Sequence, residues 1–588
     1  MRNYSYRNNK VLSAVLSILG SAAVWAHLGL SDHEPLLLGV FAALYLLFSA
    51  AFRCKEKRIT VSGIILGLVF AIFMVLGNLD ALFDRRGYLL WSAIRFFGFW
   101  GIYYGLLVVV FDRLSAVTLV CDGVAERSMA KCTKVFFISF ACIAVCYMLW
   151  WLYEYPGNTS PDSNSQLMQA LGFLPLSNHH PVVSTMCLKL VFSLGLKLFG
   201  GDQNAALGLF TFLQLLFTSA CFSYLVSVLF GQGVKKYVIY TVIAVFALLP
   251  YHGSYSVTVW KDVPFGGFLL VLCTAMWKLM TEQRDAKTLS SADTIIFAVS
   301  ALGVCLFRTN GLYCFAAAFP FIIIVFGKRG ARISIISALA LIISLILTGP
   351  VYKKLNIAPP DIAESLSIPV QQIARVIRDG GTITPEQEEI LGNVMDISAV
   401  PETYNEHISD PIKALMREGG KLEYLENNKG ILLKLWLQIG LENPRLYLKA
   451  YIDQTKGYWY PDVSYWSMST YCEASDMLDI HKDRRTPEFI GAFFSDMGFY
   501  LPLLPFGGLL FSIGLASWIM LSMFTLCVIK KKYRELLIFI PALAAIATLL
   551  IATPVYAEFR YAYGMFTALP LLGVIPFIPD KKIGENNG

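Results

Sequence analysis

The chain has 588 residues, of which 56% are hydrophobic and 14% aromatic but only 15% charged, and its mean hydropathy is +0.59. A water-soluble chain carries roughly a quarter charged residues, so the composition excludes a soluble globular fold and points to an all-α polytopic membrane protein. The net charge of +7 is spread over short clusters between apolar runs, which leaves no continuous basic face for nucleic acid and reads as topology information.

Apolar runs long enough to cross a bilayer, about 20 residues each, fall near 11–29, 35–52, 60–78, 89–111, 134–153, 204–230, 237–255, 263–280, 292–308, 311–327, 333–350, 501–528, 535–553 and 562–578. They amount to about fourteen transmembrane helices. The opening "MRNYSYRNNK" leads into the first run without a small-residue cleavage site, which predicts a retained helix and not a removed signal peptide. The run "VVSTMCLKLVFSLGLKLFG", 182–200, carries Lys189 and Lys197. Counting it as a span would divide the basic clusters between the two faces. Leaving it out puts "RCKEKR", "ERSMAKCTK", "EQRDAK", "KRGAR" and "KKKYR" on one side, with "DRRG" at 84–87 the exception. The positive-inside rule therefore predicts cytoplasmic termini and a helix lying on the outer membrane surface at 182–200.

One polar block, 351–500, has ordinary globular composition. Helical patterns mark "PPDIAESLSIPVQQIARVIRDGG", "TPEQEEILGNVM" and "NKGILLKLWLQIGLENPRLYLKAYIDQ", so one mainly helical extracytoplasmic domain is expected. The organisation expected is an accessory set of spans at 1–133, a core at 134–350 with an outer loop at 154–203, the domain at 351–500 and C-terminal spans at 501–588. No internal repeat is evident. Most of the twelve cysteines, among them Cys142, Cys146, Cys221 and Cys305, lie in apolar runs without metal-ligand spacing, which argues against a disulfide framework or a zinc site.

Polar residues gather at the outer ends of the spans. Asp162, His179 and His180 lie in the loop "GNTSPDSNSQLMQALGFLPLSNHHPVVSTM", Lys261 and Asp262 in "SVTVWKDVPF", Arg308 before "TNG", and Glu558, Arg560 and Tyr561 in "YAEFRYAY". A charge at mid-membrane costs about 2.5–3.5 kcal/mol on insertion scales, so charges this near span ends belong at the interface or along a cavity. Each has a purely structural alternative. Asp162 suits a helix N-cap, His180-Pro181 the start of the surface helix, and Lys261 with Asp262 an exposed pair. Arg308 suits snorkelling to headgroups, and Glu558 with Arg560 an ion pair.

The outward Asp after a span, followed by "HHPVVSTMCLKLVFSLGLKLFGGDQNAALGLFTFLQLL", resembles the GT-C superfamily of membrane glycosyltransferases, best over 134–350. That superfamily includes protein O-mannosyltransferases and the aminoarabinose transferases of lipid A. The motifs "PDSNSQ", "NHHP", "WKD", "FRTNG", "QQIAR" and "EFRYAY" are also similar to a bacterial family of polytopic membrane proteins of uncharacterised function, over most of the chain. Two features depart from the superfamily pattern: Asp162 is flanked by Pro161 and Ser163 instead of belonging to a tandem acidic pair, and the spans before 134 are extra.

The resemblance implies a GT-C-like core that moves a sugar from a polyprenyl-phosphate donor to an extracytoplasmic acceptor, a cell-envelope glycan, lipid or protein. In that reading Asp162 is the base, and Asp262 orients the acceptor or a cation. Lys261, Arg308 and Arg560 meet the leaving phosphate, while His179, His180, Glu558 and Tyr561 help bind substrate. No metal is demanded, although Asp162, Asp262 and a histidine could supply hard ligands to a divalent ion. The rival class is a transporter or flippase of a lipid-linked or anionic solute, which favours internal symmetry and charges deep in the spans. An outer-face glycan polymerase or ligase is the closer chemical alternative.

Overall fold

A computed structural model describes residues 2–29, 34–79, 88–121, 128–285, 287–418, 421–463, 467–468, 472, 477–504, 506–552 and 554–579. The described residues are helical, with isolated β-bridges and no strand. Among them eight helices are long and apolar enough to cross a membrane, or nine if Lys236–Leu248 and Pro250–Ser256 form one span bent by 55°. Pro35–Ala51, Ser291–Phe307, Ile513–Ile529 and Leu536–Ile551 are shorter apolar helices. The chain is thus an α-helical membrane-embedded protein.

Every apolar run read from the sequence falls on a helix, but several helices are shorter or more broken than the runs. The run 237–255 bends where Pro250, which lacks an N–H, starts a new helix. The run 501–528 opens with 3₁₀ turns at Leu501–Leu503 and Gly508–Phe511, and its α-helix starts only at Ile513. The last run corresponds to Phe559–Val574, 16 residues long. Residues 182–200 form the helix Val182–Leu198, which is not among the helices that meet the length and apolarity needed for a span. It packs closely on Gln203–Gly231, since a Cβ on Gly195 would lie 2.6 Å from Ala206 Cα. The "DRRG" exception lies outside the described residues.

The chain divides into two compact units. The first comprises Met1–Thr118 with Trp459–Asp462 and Ser517–Tyr533. Its helices Lys57–Gly77 and Tyr88–Ser115 approach so closely that a Cβ on Gly67 would sit 2.9 Å from Tyr104 N. Trp518 stacks on Phe70 at 3.9 Å and donates to Trp459 O. Arg95, 1% exposed, lies 2.8 Å from His27 Nδ1.

The second unit, Leu119–Tyr458 with Val463–Ala516 and Arg534–Gly588, holds most of the remaining apolar helices and all of the polar block but Trp459–Asp462. Within that block, the helices Ser367–Arg378, Asp410–Arg417, Lys429–Glu442 and Pro444–Thr455 enclose a core of Val370, Ile373, Ile412, Met416, Leu435 and Ile439. Pro385–Gly392 is closed by a Thr384/Gln387 capping box. The helical pattern at 428–454 forms two helices, because Pro444 starts the second.

The block is fastened to the membrane part at separate points. Asn178 N donates to Ala358 O at 2.7 Å. His407 stacks on Tyr556 at 4.0 Å. Tyr458 donates through its hydroxyl to Val555 O at 2.6 Å.

Candidate functional site

Asp162 is not the cap of its helix. Pro161 takes the first helical position, as its fixed φ and missing N–H favour, so Ser160 becomes the N-cap and forms a capping box with Ser163. Asp162, in the first turn of Pro161–Leu171, is left to point elsewhere, and its Oδ2 meets Arg560 Nη1 at 2.9 Å. Burial opposes its ionisation, but Arg560, Lys261 and His180 more than compensate and hold the carboxyl well below the usual range.

His180 is 2% exposed and stands just before Pro181, the residue that opens Val182–Leu198. Lys261 Nζ donates to His180 Nδ1 at 3.0 Å. An ammonium only donates, so Nδ1 must carry the lone pair. Burial first, and then Lys261, bring His180 down to about 3 and keep it neutral. Lys261 itself occupies the N-cap of Asp262–Arg284, and burial lowers it from the ordinary lysine value.

Asp262, 1% exposed, opens that helix and pairs through Oδ1 with Arg308 Nη1 at 3.1 Å. Arg308 is the extended residue between Ser291–Phe307 and Thr309–Phe326. Its Nη1 also donates to Tyr561 O at 2.7 Å, and its guanidinium lies 4.8 Å from the Tyr561 ring centroid. The turn that presents it needs glycine next door, because a Cβ on Gly311 would be 1.9 Å from Val304 O.

Glu558 occupies the N-cap position of Phe559–Val574 without a side-chain cap bond and places Oε1 3.3 Å from Arg560 Nε. Burial, opposed by Arg560, pushes Glu558 up to about 7. Ala557 before it is left-handed, with φ of 47°, a conformation that costs a non-glycine residue of order 1–3 kcal/mol. The guanidinium of Arg560 lies 5.3 Å from the Trp260 ring and 4.9 Å from the Tyr561 ring.

These residues converge on one cavity of ≈ 660 Å³. Asp162, His179, Lys261, Arg308, Arg560 and Tyr561 line it. His180, Asp262 and Glu558 do not line it: each stands behind a lining cation, respectively Lys261, Arg308 and Arg560. Residues of the polar block line the same cavity. There Asp361, Glu364 and Asp410 are cross-linked by Arg417 and Lys413 at 2.6–3.1 Å. Nothing in the local pattern of these residues separates them from a solvated helix face. Only the fold brings them to the same cavity as Asp162.

A second, apolar groove of ≈ 290 Å³ runs among Leu188, Val191, Phe210, Phe217, Phe268 and Phe307, and Lys261 lines it too. Among the described residues no group of three or more His, Cys, Asp or Glu could hold a metal ion. The carboxylates of Asp162 and Asp262 are turned to arginines instead.

No curated protein and no solved structure matches the chain. Residues 174–582, more than half of the chain and including every site residue except Asp162, match a family described as one of unknown function, DUF6020, and the chain belongs to that family.

Proposed function

We propose that the protein is a membrane glycosyltransferase that moves a sugar from a polyprenyl-phosphate carrier to an extracytoplasmic acceptor. The observation that carries this reading is Lys261, which lines both the polar cavity and the apolar groove. A lipid phosphate has the same division, an anion joined to a hydrocarbon chain. With its chain in the groove, its phosphate lies at Lys261, within the cavity that also exposes Arg308 and Arg560.

The acceptor hydroxyl attacks the anomeric carbon as the bond from that carbon to the phosphate oxygen breaks. A single displacement inverts the configuration. The proton goes to a carboxylate, and the electron pair leaves with the polyprenyl phosphate. Asp162 is the base in this scheme. Its pairing with Arg560 makes it a weak base as long as that pair holds. A donor phosphate offers Arg560 another anion, which loosens Asp162 at the moment when a base is required.

Arg308 and Arg560 stabilise the departing charge. Asp262 and Glu558 hold those guanidiniums in place, so little reorganisation accompanies the reaction. Neutral His180 orients Lys261, and His179 and Tyr561 contact the sugar or acceptor. The proposed topology has cytoplasmic termini and an outer polar block. In a background with its other accessible cysteines replaced, Cys142, Cys187 and partly exposed Cys472 among them, Ser365→Cys should react with an impermeant maleimide from outside, whereas reaction only after permeabilisation refutes the topology.

The test of the reaction is release of polyprenyl phosphate from a panel of polyprenyl-phosphate sugars by the protein in lipid vesicles supplied with a cell-envelope extract as the hydroxyl acceptor. Asp162→Asn should lower turnover by the roughly 10²- to 10⁴-fold typical of losing a general base. Wild-type turnover by that variant would remove Asp162 from the chemistry.

A further inference from the structure

The helix Lys429–Glu442 has two apolar faces, although a helix on the surface of a soluble domain needs only one. Leu432, Leu435 and Ile439 are buried in the core of the polar block. On another face Leu433, Leu437 and Leu441, spaced i, i+4, i+8, are 56%, 52% and 84% exposed. The spacing stacks the three into one stripe, and a contiguous apolar stripe marks a contact.

Val182–Leu198 repeats the design, with Leu190, Leu194 and Leu198 exposed and Lys189 and Lys197 beside them. The helix at 429–442 likewise carries exposed Lys434 next to its stripe, and exposed Arg445 follows it. Its acidic residue, Glu442, takes a hydrogen bond from Gln387.

What covers the stripe follows from its connections. The next helix, Pro444–Thr455, is tied to the end of the apolar helix Leu536–Ile551 and to the residues after it. Tyr451 donates through its hydroxyl to Leu550 O at 3.1 Å, and Gln454 Nε2 to Pro554 O at 3.0 Å. Leu448, one turn from Tyr451, is exposed, as is Ile551 at the end of that apolar helix. Apolar exposure therefore continues from the end of the apolar helix Leu536–Ile551 into the helix pair of the polar block. Basic residues flank it where lipid phosphates would be.

We infer that the Leu433/Leu437/Leu441 face of this helix is a membrane-seating surface, inserted in the headgroup–acyl boundary of the leaflet beside the polar block. The inference does not depend on the reaction assigned above. It also links the leaflet to the cavity. Trp436 Nε1 donates to Gln372 Oε1 at 2.7 Å, and Gln372 belongs to the helix Ser367–Arg378, whose first residue lines the cavity wall.

Leu437→Cys and Leu441→Cys, with Cys142 and Cys187 replaced by serine, would each carry a nitroxide on the full-length protein in vesicles of phosphatidylethanolamine and phosphatidylglycerol. Exposed Asn393→Cys serves as the aqueous control. Both leucine-site labels should collide with oxygen several-fold more often, relative to a water-soluble nickel chelate, than the Asn393 label does. Because Leu441 is the most exposed of the three, its label perturbs no packing and reports even if the Leu437 variant folds poorly. Ratios equal to the Asn393 control would mean that the stripe faces water and would overturn the inference. So would spin–spin broadening that grows with protein density in the membrane, which would assign the face to a second copy of the chain.

Discussion

The substitution Glu558→Gln isolates the cost of burying a carboxylate behind Arg560. An ordinary Glu carboxyl titrates at 4.5, whereas burial raises Glu558 to about 7. The folded protein therefore holds this proton to higher pH than the unfolded chain does. Its contribution is fully present below pH 4.5, declines as pH rises towards 7, and changes no further above that. At 1.36 kcal/mol per pH unit, the wild type should lose about 3 kcal/mol across that window from this group alone. The Gln variant keeps an oxygen near Arg560 Nε but has no proton to lose. It should match the wild type near pH 4.5 and exceed it by about 3 kcal/mol at pH 8. Reversible unfolding in mixed micelles at closely spaced pH values measures both curves. If the two run parallel from pH 4.5 to 8, Glu558 is ionised as readily in the folded protein as outside it. The reasoning from its burial would then be wrong.

Ser160→Ala should destabilise the protein by about 1 kcal/mol through loss of the cap. Turnover per folded molecule should survive, and a drop as large as that of Asp162→Asn would show that the two residues do not have separate roles. Arg308→Gln strands the buried Asp262 carboxylate and should cost about 3–5 kcal/mol, while adding Asp262→Asn should recover part of it. An additive double-mutant cycle in unfolding experiments would deny the pair. Gly311→Ala should abolish accumulation of folded protein, because its Cβ cannot fit beside Val304 O, whereas Gly392→Ala, with nothing within 4 Å, should behave as wild type in size-exclusion profiles after detergent extraction.

Much of the cavity floor could be read from sequence, because a charged residue beside an apolar run stands out and helix direction alternates. Asp162, Lys261, Arg308 and Arg560 stand out on those grounds, and they share one cavity. Which of the polar residues face the cavity was not legible. Asp262 and Glu558 have the same sequence character as the residues in front of them, and only side-chain geometry turns them towards arginines. The cap at Ser160 could have been read from Pro161, since proline prefers the first helical position. Pro250 likewise signalled the break in the run 237–255. The wall from Asp361 to Arg417 gave no signal, because ion pairs on amphipathic helices look alike whether they face solvent or a site.

The pair between Asp162 and Arg560 spans 398 positions of the chain. A ribosome feeding this protein into the membrane delivers the carboxylate long before its countercharge, and nearly all the remaining spans must be inserted and packed in between. Contacts so remote in sequence are the slow ones to form. Until Phe559–Val574 docks, Asp162 has to stay hydrated, beside a lysine, or protonated. Assembly of the working centre is thereby deferred to a late stage of biogenesis, and a nascent or truncated chain carries the individual groups without their combined field.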